Sequence, residues 1–266
     1  PMNEILQAYR NGTHYTIHML DNGLIHADAT GVALTWMNAY ADGKPVTPRY
    51  GSPVEINALW YNAVCYSLEL AEKNNDKKFV KEWKPLVGRI GESFVSTFWN
   101  DERGYLADVF YQGKADESVR PNQVIAVALP YSPLSKEMKK SVLSLAKRDL
   151  VTPRGLRTLS PRNERYEGIY EGNETQRERA IHQGSVFPWL LGFFTQAYLN
   201  IHQHGGLSYI RQTMEGFEEE MTHHCIGTLS ELYNGNPPHT GKGAISQAWN
   251  IGEILRAYQI IGQFEE

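Results

Sequence analysis

The chain has few cysteines and no excess of positive charge, and each shortage argues against a class of protein. Its 266 residues include two cysteines, Cys65 and Cys225. So few cysteines in a chain of this length favour a reduced, cytoplasmic protein over a disulfide-stapled scaffold. The 26 basic and 30 acidic side chains give a net charge of −4, which argues against a nucleic-acid partner.

Long apolar runs and several short catalytic motifs are also missing. No stretch of the sequence approaches the roughly 18 apolar residues of a membrane span, so we expect no membrane partner. There is no Gly-x-Ser-x-Gly elbow, no phosphate loop and no dinucleotide fingerprint. His223-His224-Cys225 has the right residue types for a metal, but adjacent residues on a helix point apart. No second group of Cys and His residues in the sequence has the spacing of metal ligands, so we expect no metal site.

Two kinds of helix alternate along the chain. One kind is amphipathic, with apolar residues at steps of three and four and a charged back, and it is expected at 77–98, 134–149 and 206–223. The other kind is apolar nearly all round and is expected at 54–73, 182–201 and 244–261, with a shorter example starting at Pro121. An opening helix near 2–11 brings the number to eight. Residues 15–23 predict a small β-hairpin.

This alternation predicts one all-α domain over residues 1–266. A helix that is apolar on all faces is buried on all faces, so we expect antiparallel pairs in a ring with the apolar helices inside. The loops rich in Gly, Trp and Tyr would then gather at one mouth. A closed ring of six pairs needs twelve helices. Eight helices therefore predict an open ring or part of a longer polypeptide, with apolar flanks that call for a partner.

Aromatic, amide and acidic side chains in these loops and helix starts suggest a sugar site. Sugars present C–H faces to aromatic rings and hydroxyls to amides and carboxylates. Glu231, in a loop between Gly and Tyr residues, is the candidate carboxylate of the site. The candidate platforms are Trp36, Trp60, Tyr61, Trp189, Tyr233 and Trp249. Trp60 and Trp249 also suit the core, because they lie in predicted buried helices. The candidate amides are Asn57, Asn122, Gln123, Gln183 and Gln247.

Residues 152–179 are rich in arginine but carry their own counter-charges. The arginines are accompanied by Glu164, Glu167, Glu171, Glu174 and Glu178. A nucleic-acid strip would lack such counter-charges. We therefore expect a salt-bridged lid over the mouth, with Tyr166 and Tyr170 facing inward.

Several stretches, in order along nearly the whole chain, resemble one family. They include Asp21-Asn22-Gly23-Leu24-Ile25-His26-Ala27, Ala33-Leu34-Thr35-Trp36-Met37, Pro45-Val46-Thr47-Pro48-Arg49, Val54-Glu55-Ile56-Asn57-Ala58-Leu59-Trp60-Tyr61-Asn62, Arg120-Pro121-Asn122-Gln123, His182-Gln183-Gly184-Ser185-Val186-Phe187-Pro188-Trp189, Ser230-Glu231 and Gln247-Ala248-Trp249-Asn250. The chain resembles the C-terminal glucosidase domain of bacterial-type glycogen debranching enzymes, an amylo-α-1,6-glucosidase.

The resemblance implies a fold, a reaction and a substrate. The fold is a six-pair α/α toroid, here an incomplete ring, and it implies an upstream N-terminal part of the same polypeptide or another chain as partner. The reaction is hydrolysis of α-1,6-linked glucose at a glycogen or α-glucan branch point, with inversion and without a cofactor. Together with the aromatic and amide candidates, Asp28, Glu55, Tyr170 and His182 complete the expected sugar contacts.

Inverting hydrolysis needs a carboxylic acid and a carboxylate on opposite sides of the scissile bond. Glu231 matches the family's base, whereas the acid position of its Thr-Trp-Met-Asp motif here reads Thr35-Trp36-Met37-Asn38. An amide cannot protonate an alkoxide, and general acid catalysis contributes about 10²–10⁴-fold. Three explanations stay open. Asn38 replaces a native Asp; the protein is a natural α-glucan binder without catalysis; or Asp28 or Glu55 is a substitute acid. A structural fragment that docks on a partner chain is a further alternative.

Overall fold

The computed structural model describes residues 1–223 and 226–265, and helices make up most of its regular structure. The helices are α1 (Met2–Asn11), α2 (Val54–Lys73), α3 (Lys77–Phe98), α4 (Asn122–Ala128), α5 (Lys136–Asp149), α6 (Glu174–Ile181), α7 (Leu190–His202), α8 (Leu207–Glu220) and α9 (Ala248–Gln263). All eight predicted helices are present, and α6 is an additional one. Every helix within the described residues is too short or too polar to cross a lipid bilayer.

Local sequence signals explain where several helices begin. Asp76 caps α3 by accepting a hydrogen bond from the backbone of Phe79, and Ser135 caps α5 in the same way. The additional helix α6 begins in a capping box, because Asn173 and Gln176 each accept a hydrogen bond from the other's backbone N–H. The apolar stripe predicted for α3 is buried as expected.

Two of the predicted inner helices begin later than expected. Residues 182–189 are not helical, and α7 begins only at Leu190, after Pro188. Proline disfavours helical backbone in the residue before it. Val186 and Phe187 instead pair with a neighbouring strand. In the same way α9 begins at Ala248 rather than near 244, because Gly241 and Lys242 form a strand.

Short strands are more numerous than the sequence predicts. In the part of the chain that the structure describes, five small antiparallel sheets contain β1 (His18–Met19), β2 (Ile25–His26), β3 (Tyr40–Ala41), β4 (Lys44–Pro45), β5 (Ser52–Pro53), β6 (Trp99–Asn100), β7 (Tyr105–Leu106), β8 (Val109–Tyr111), β9 (Lys114–Asp116), β10 (Val151–Thr152), β11 (Gly155–Arg157), β12 (Val186–Phe187), β13 (Leu232–Tyr233) and β14 (Gly241–Lys242). The predicted hairpin corresponds to β1 and β2. The largest sheet runs β10-β11-β12-β13-β14 and joins three distant loops at one place.

The helices form an inner and an outer layer. In the inner layer α2, α4, α7 and α9 each pack against the next, and in the outer layer α3 packs on α2, α5 on α4 and α7, and α8 on α9. The main core lies between these layers. A second apolar cluster joins α1, α2 and α3 around Trp60 and Trp83.

The inner helices are not buried on all faces, which corrects the sequence-based expectation. Leu255 of α9 is 64% exposed and Trp249 is 56% exposed. At the other end of the inner series, Leu59 and Tyr66 of α2 are exposed. Leu59 also lines an apolar cavity of about 210 Å³ that α1 and α2 share. Nearly continuous apolar sequence therefore does not mean complete burial in α2 and α9.

Candidate active site

The loop from Trp36 to Asn38 presents its last residue to solvent. Met37 is buried and Asn38 is exposed. The Trp36 indole meets the rings of His182 and Trp189 edge-on, with centroids 5.3 Å and 5.0 Å away. Its Nε1 donates a hydrogen bond to Oδ1 of Asn122 at 2.8 Å. The ring orientation of Trp36 is therefore fixed by apolar contacts and by one polar contact.

A buried ion network supports this loop from below. Arg49 donates from Nε to Asp108 Oδ2 at 2.8 Å and from Nη2 to Glu55 Oε2 at 2.6 Å. Burial alone would lower the pKa of Arg49, but Asp108 and Glu55 raise it above its ordinary value. Asn122 donates from Nδ2 to Asp108 Oδ1 at 2.7 Å. The network thus reaches Trp36 through Asn122.

Arg120 connects the same network to the segment that follows α6. Its Nε lies 3.7 Å from Asp108 Oδ2. It donates to Oε1 of Gln183 at 2.8 Å and to the carbonyl of His182 at 2.7 Å. Burial, only partly offset by Asp108, and the neighbouring Arg49 lower the pKa of Arg120 to about 10. Two arginines and two carboxylates therefore share the buried space, and their formal charges balance.

His182 is neutral at ordinary pH in this environment. Burial first, then the charges of Arg120 and Arg49, lower its pKa to about 3. Its ring stacks on Phe187 with centroids 5.9 Å apart. Its Nδ1 is buried and has no hydrogen-bond partner among the described residues. His182 therefore acts as an apolar wall beside Trp36.

Glu231 is held at one carboxylate oxygen. Its Oε2 accepts a hydrogen bond from the backbone N–H of Ala244 at 2.8 Å. Gly243 makes this approach possible, since a Cβ there would lie 2.5 Å from Glu231 Oε2. Asn250 of α9 donates to the Glu231 carbonyl at 2.9 Å and accepts from the backbone N–H of Trp189 at 3.2 Å. The Glu231 loop is thereby tied to the aromatic cluster around Trp36.

Tyr170 is linked to the loop that follows Glu231. Its backbone N–H donates to Asn234 Oδ1 at 2.8 Å. Burial raises the pKa of the Tyr170 hydroxyl, and the charges of Glu178 and Glu231 raise it further. Glu178 of α6 accepts a hydrogen bond at Oε2 from the backbone N–H of Tyr40 at 3.4 Å. A carboxylate of α6 therefore lies beside the chain two residues beyond Asn38.

Sequence reasoning placed Glu178 only among the counter-charges of the arginine-rich segment. The capping box at Asn173 and Gln176 is a signal that could have found a helix there. A helix starting at 174 puts Glu174 and Glu178 on one face, a turn apart. The contact with Tyr40 depends on tertiary packing of α6 against β3.

Four of the predicted sugar contacts are buried and use their polar atoms within the chain. Glu55 is buried and bonded to Arg49 through both carboxylate oxygens. Asn57 is fully buried, and its amide bonds the backbone of Ile25. Gln123 accepts from the backbone of Leu106 and donates to that of Arg120. Trp60 is buried against Trp83 and donates to the Gly23 carbonyl.

Three further candidates are buried or make contacts within the chain. Tyr233 is 0% exposed in β13. Tyr61 packs near Gly91 of α3, and burial with the neighbouring Cys65 raises its pKa to about 12. Asp28 accepts a hydrogen bond from the Tyr111 hydroxyl at 2.8 Å. Trp249 is exposed, contrary to its expected core position.

The amides Asn122 and Gln183 lie in the site but use their polar atoms internally. Both are buried, and Gln183 Nε2 reaches the Val46 carbonyl at 3.4 Å. They hold Trp36 and Arg120 in place, as described above. Among the predicted residues, the fold joins Trp36 to Trp189 by ring contact and Trp189 to the Glu231 loop through Asn250.

The arginine-rich segment is salt-bridged, but mostly to other parts of the chain. Arg179 pairs with Asp42 at 2.8 Å and Arg154 with Glu220 at 3.1 Å. Arg162 pairs with Asp149 at 3.3 Å. The expected pairing with the segment's own glutamates is therefore wrong for these three arginines. Ion pairs across elements fasten the segment to the rest of the fold.

The histidine and cysteine cluster of the sequence is only partly described, because His224 and Cys225 lie outside the described residues. Within residues 1–223 and 226–265, no group of three or more His, Cys, Asp or Glu side chains is placed to hold a metal ion.

Comparison with known proteins identifies a family and a fold. The family model for amylo-alpha-1,6-glucosidase matches residues 1–256. The glycogen debranching enzyme of Saccharomyces cerevisiae is 27% identical over an alignment of 304 residues. The alignment covers 92% of this chain and 20% of that protein. The chain thus spans about a fifth of the length of this relative.

Solved structures share the fold at low sequence identity. A sialidase superposes with a TM-score of 0.68 at 12% identity, over 94% of this chain and 22% of that one. The neutral trehalase Nth1 from Saccharomyces cerevisiae superposes with a TM-score of 0.57 at 16% identity, over 80% of this chain and 40% of that one. Trehalases have the α/α toroid fold, in agreement with the two helical layers found here.

Proposed function

Because the chain belongs to the amylo-alpha-1,6-glucosidase family, we propose that it is a glycoside hydrolase domain that removes α-1,6-linked glucose from α-glucan branch points. The proposed mechanism is inverting. Glu231 removes a proton from the attacking water, and an acid on the opposite side protonates the leaving oxygen. Trp36, Trp189 and Tyr170 contact the glucose.

One observation carries this proposal: Glu231 is anchored beside the Trp36 cluster. The Ala244 N–H fixes one carboxylate oxygen at 2.8 Å, and Asn250 ties the loop to Trp189. A base must be held within reach of its water in a fixed orientation. An aromatic wall beside a fixed carboxylate suits a sugar ring that has apolar faces and polar edges.

The test is release of glucose from a glucosyl-branched maltooligosaccharide by the full-length protein. Glu231→Gln should lower the rate by about 10²–10⁴-fold, since it removes the base. The matched control is Glu219→Gln in α8, an exposed glutamate on the outer layer. A Glu231→Gln protein as active as the control would refute the assignment of Glu231. Proton NMR of the first product anomer would test inversion.

Asn38 favours a second candidate function, an α-glucan-binding domain without catalysis. The exposed amide at the position of the family's acid can bind hydroxyls but cannot donate a proton to an alkoxide. This candidate predicts glucan binding by calorimetry with no release of glucose. It also predicts that Asn38→Asp leaves binding nearly unchanged, because the two side chains have almost the same shape. Weaker binding after Trp36→Ala would place the glucan at this site.

The exposed apolar side chains at the two ends of the inner helix series support a proposal about assembly. Leu59 and Tyr66 of α2 and Leu255 of α9 are exposed, although apolar patches normally find a covering surface. We propose that these helices belong to an incomplete α/α ring. An upstream part of the same polypeptide, or another chain, covers its ends. Comparison of the solution mass of residues 1–266 with that of the full-length protein tests this, and a well-behaved monomer of the short form counts against it.

A further inference from the structure

We propose that Glu178 is the general acid of this chain, in place of the carboxylic acid that Asn38 lacks. The inference deepens the proposed hydrolase function and depends on it. It concerns one side chain of α6 that lies next to the loop after Asn38. It also gives the site the second carboxyl group that inverting hydrolysis requires.

The position of Glu178 is the first support. Its Oε2 accepts a hydrogen bond from the backbone N–H of Tyr40 at 3.4 Å, and Tyr40 is two residues after Asn38. Two residues of extended chain span at most about 7 Å. The carboxyl group of Glu178 therefore lies within roughly 10 Å of the Asn38 backbone. It reaches this place from a separate element, so a change at position 38 leaves it intact.

The relation of Glu178 to Glu231 is the second support. The charges of Glu178 and Glu231 both raise the pKa of the Tyr170 hydroxyl, and the Tyr170 backbone N–H bonds Asn234, three residues after Glu231. Inverting glycosidases need two carboxyl groups that flank the scissile bond and leave room for a water molecule. Glu178 comes from α6 and Glu231 from the loop before β13, so the two carboxyl groups belong to different elements.

The third support is the absence of a salt bridge at Glu178 within the described residues. Among residues 1–223 and 226–265, it forms no ion pair, and its hydrogen bond from Tyr40 is long. The neighbouring Arg179 is paired with Asp42 instead, at 2.8 Å. The Glu178 carboxyl group is therefore not held in a salt bridge within the described residues.

The substitute acids expected from the sequence are less suitable. Glu55 is buried and bonded to Arg49 through both oxygens, so it has no access to a substrate. Asp28 accepts a hydrogen bond from Tyr111 and lies at the start of the loop, eight residues before Trp36. Glu178 is partly exposed beside the segment that follows Asn38.

The proposed step is a single displacement at the anomeric carbon. Glu178 transfers its proton to the glycosidic oxygen while the bond from this oxygen to C1 breaks, and the bonding electron pair stays on the oxygen. Water forms the new bond to C1 from the other face and gives its proton to Glu231. The products are glucose and a glucan with a free 6-hydroxyl, and each carboxyl group has changed its protonation state once.

The test compares two substrates in the full-length protein. A branched maltooligosaccharide needs protonation of its leaving oxygen, whereas α-glucosyl fluoride does not, because fluoride is a good leaving group. Glu178→Gln should lower kcat/KM for the oligosaccharide by about 10²–10⁴-fold and change hydrolysis of the fluoride only a few-fold. Glu231→Gln should lower both rates. Glu174→Gln, one turn earlier on α6, is the matched control and should keep both rates.

Two outcomes would overturn the role of Glu178 while the proposed function stands. In one, the Glu178→Gln protein hydrolyses the oligosaccharide at the wild-type rate or loses both substrates equally. In the other, the wild-type protein is inactive on the oligosaccharide and Asn38→Asp makes it active. If the wild-type and Asn38→Asp proteins are both inactive on both substrates, the proposed hydrolase function itself fails. Circular dichroism of each variant shows whether the fold is retained.

Discussion

Asn122 holds the indole of Trp36 and the carboxylate of Asp108 at the same time. Its Oδ1 accepts from Trp36 Nε1 at 2.8 Å, and its Nδ2 donates to Asp108 Oδ1 at 2.7 Å. The two bonds use opposite ends of one amide, and they join the buried ion network to the wall of the candidate site. Loss of the Asn122 side chain would therefore affect both the buried ion network and the orientation of Trp36.

Replacement of Asn122 by alanine should therefore affect stability and glucan binding together. The change removes the partner of two buried polar groups, and we expect a loss of about 1–3 kcal/mol in the free energy of unfolding. Glucan affinity should also fall, because Trp36 loses its polar anchor. Urea unfolding and calorimetry measure the two effects. Asn200→Ala, on the exposed face of α7, is the control, and equal effects of both variants would contradict this account.

Replacement of Gly243 by alanine should damage the function of Glu231 more than the fold. Gly243 has φ +71, and an added Cβ would lie 2.5 Å from Glu231 Oε2. The control is Gly113→Ala, since Gly113 has φ +77 and nothing within 4 Å of an added Cβ. Both variants should lose roughly 1–2 kcal/mol through backbone strain. Only Gly243→Ala should also displace the carboxylate, which would appear as a fall in kcat or in glucan affinity.

The two glutamates Glu55 and Glu69 on α2 should differ greatly when they are changed to glutamine. Glu55→Gln leaves Arg49 and Arg120 with one carboxylate between them in a buried place, and we expect a loss of about 3–5 kcal/mol. Glu69 pairs with Lys73 on the exposed face, so Glu69→Gln should change the free energy of unfolding far less. Chemical unfolding of both variants measures the difference. Similar losses would show that the buried network contributes little.

Acid should destabilise the fold partly through His182. Its pKa in the folded protein is lowered to about 3, against an ordinary 6.5, because of burial and the charges of Arg120 and Arg49. Below pH 6.5 His182 binds a proton in the unfolded chain but not in the folded chain. Its contribution to the free energy of unfolding is therefore fully present above pH 6.5 and is lost as the pH falls towards 3. Between pH 7 and pH 5 the loss from this group is about 2 kcal/mol.

The variant His182→Phe isolates this contribution to the pH dependence. Phenylalanine can keep the stacking on Phe187 and has no proton to bind. The difference in unfolding free energy between pH 7 and pH 5 should therefore be smaller in the variant than in the wild type by roughly 2 kcal/mol. An unchanged difference would mean that His182 takes up a proton in the folded state or stays neutral in both.

The sequence by itself determined the family and the existence of eight of the helices, but not α6 or the starts of α7 and α9. Steps of three and four apolar residues gave the bounds of α3 correctly, because the burial of one face of a helix leaves a periodic trace in the chain. The nearly continuous apolar sequence of α9 predicted a helix buried on all faces, but its Leu255 is exposed. Whether an apolar face meets a neighbour depends on which elements are nearby, and no local pattern records that. The start of α7 was also missed, because strand pairing of Val186 competes with helix propensity.

The candidate site was decided by the tertiary structure. Residue types and spacing singled out Trp36, Asn38 and Glu231, since each lies in a distinctive local stretch. They did not distinguish a sugar contact from a framework residue. Glu55 and Asn57 look like sugar ligands in the sequence, yet their partners, Arg49 and Ile25, are set by packing. Glu178 looked like a surface counter-charge, and its place beside Tyr40 follows from the way α6 packs against β3, in the loop after Asn38. Hydrogen-bond partners that are far apart in sequence are fixed only when the whole chain is packed.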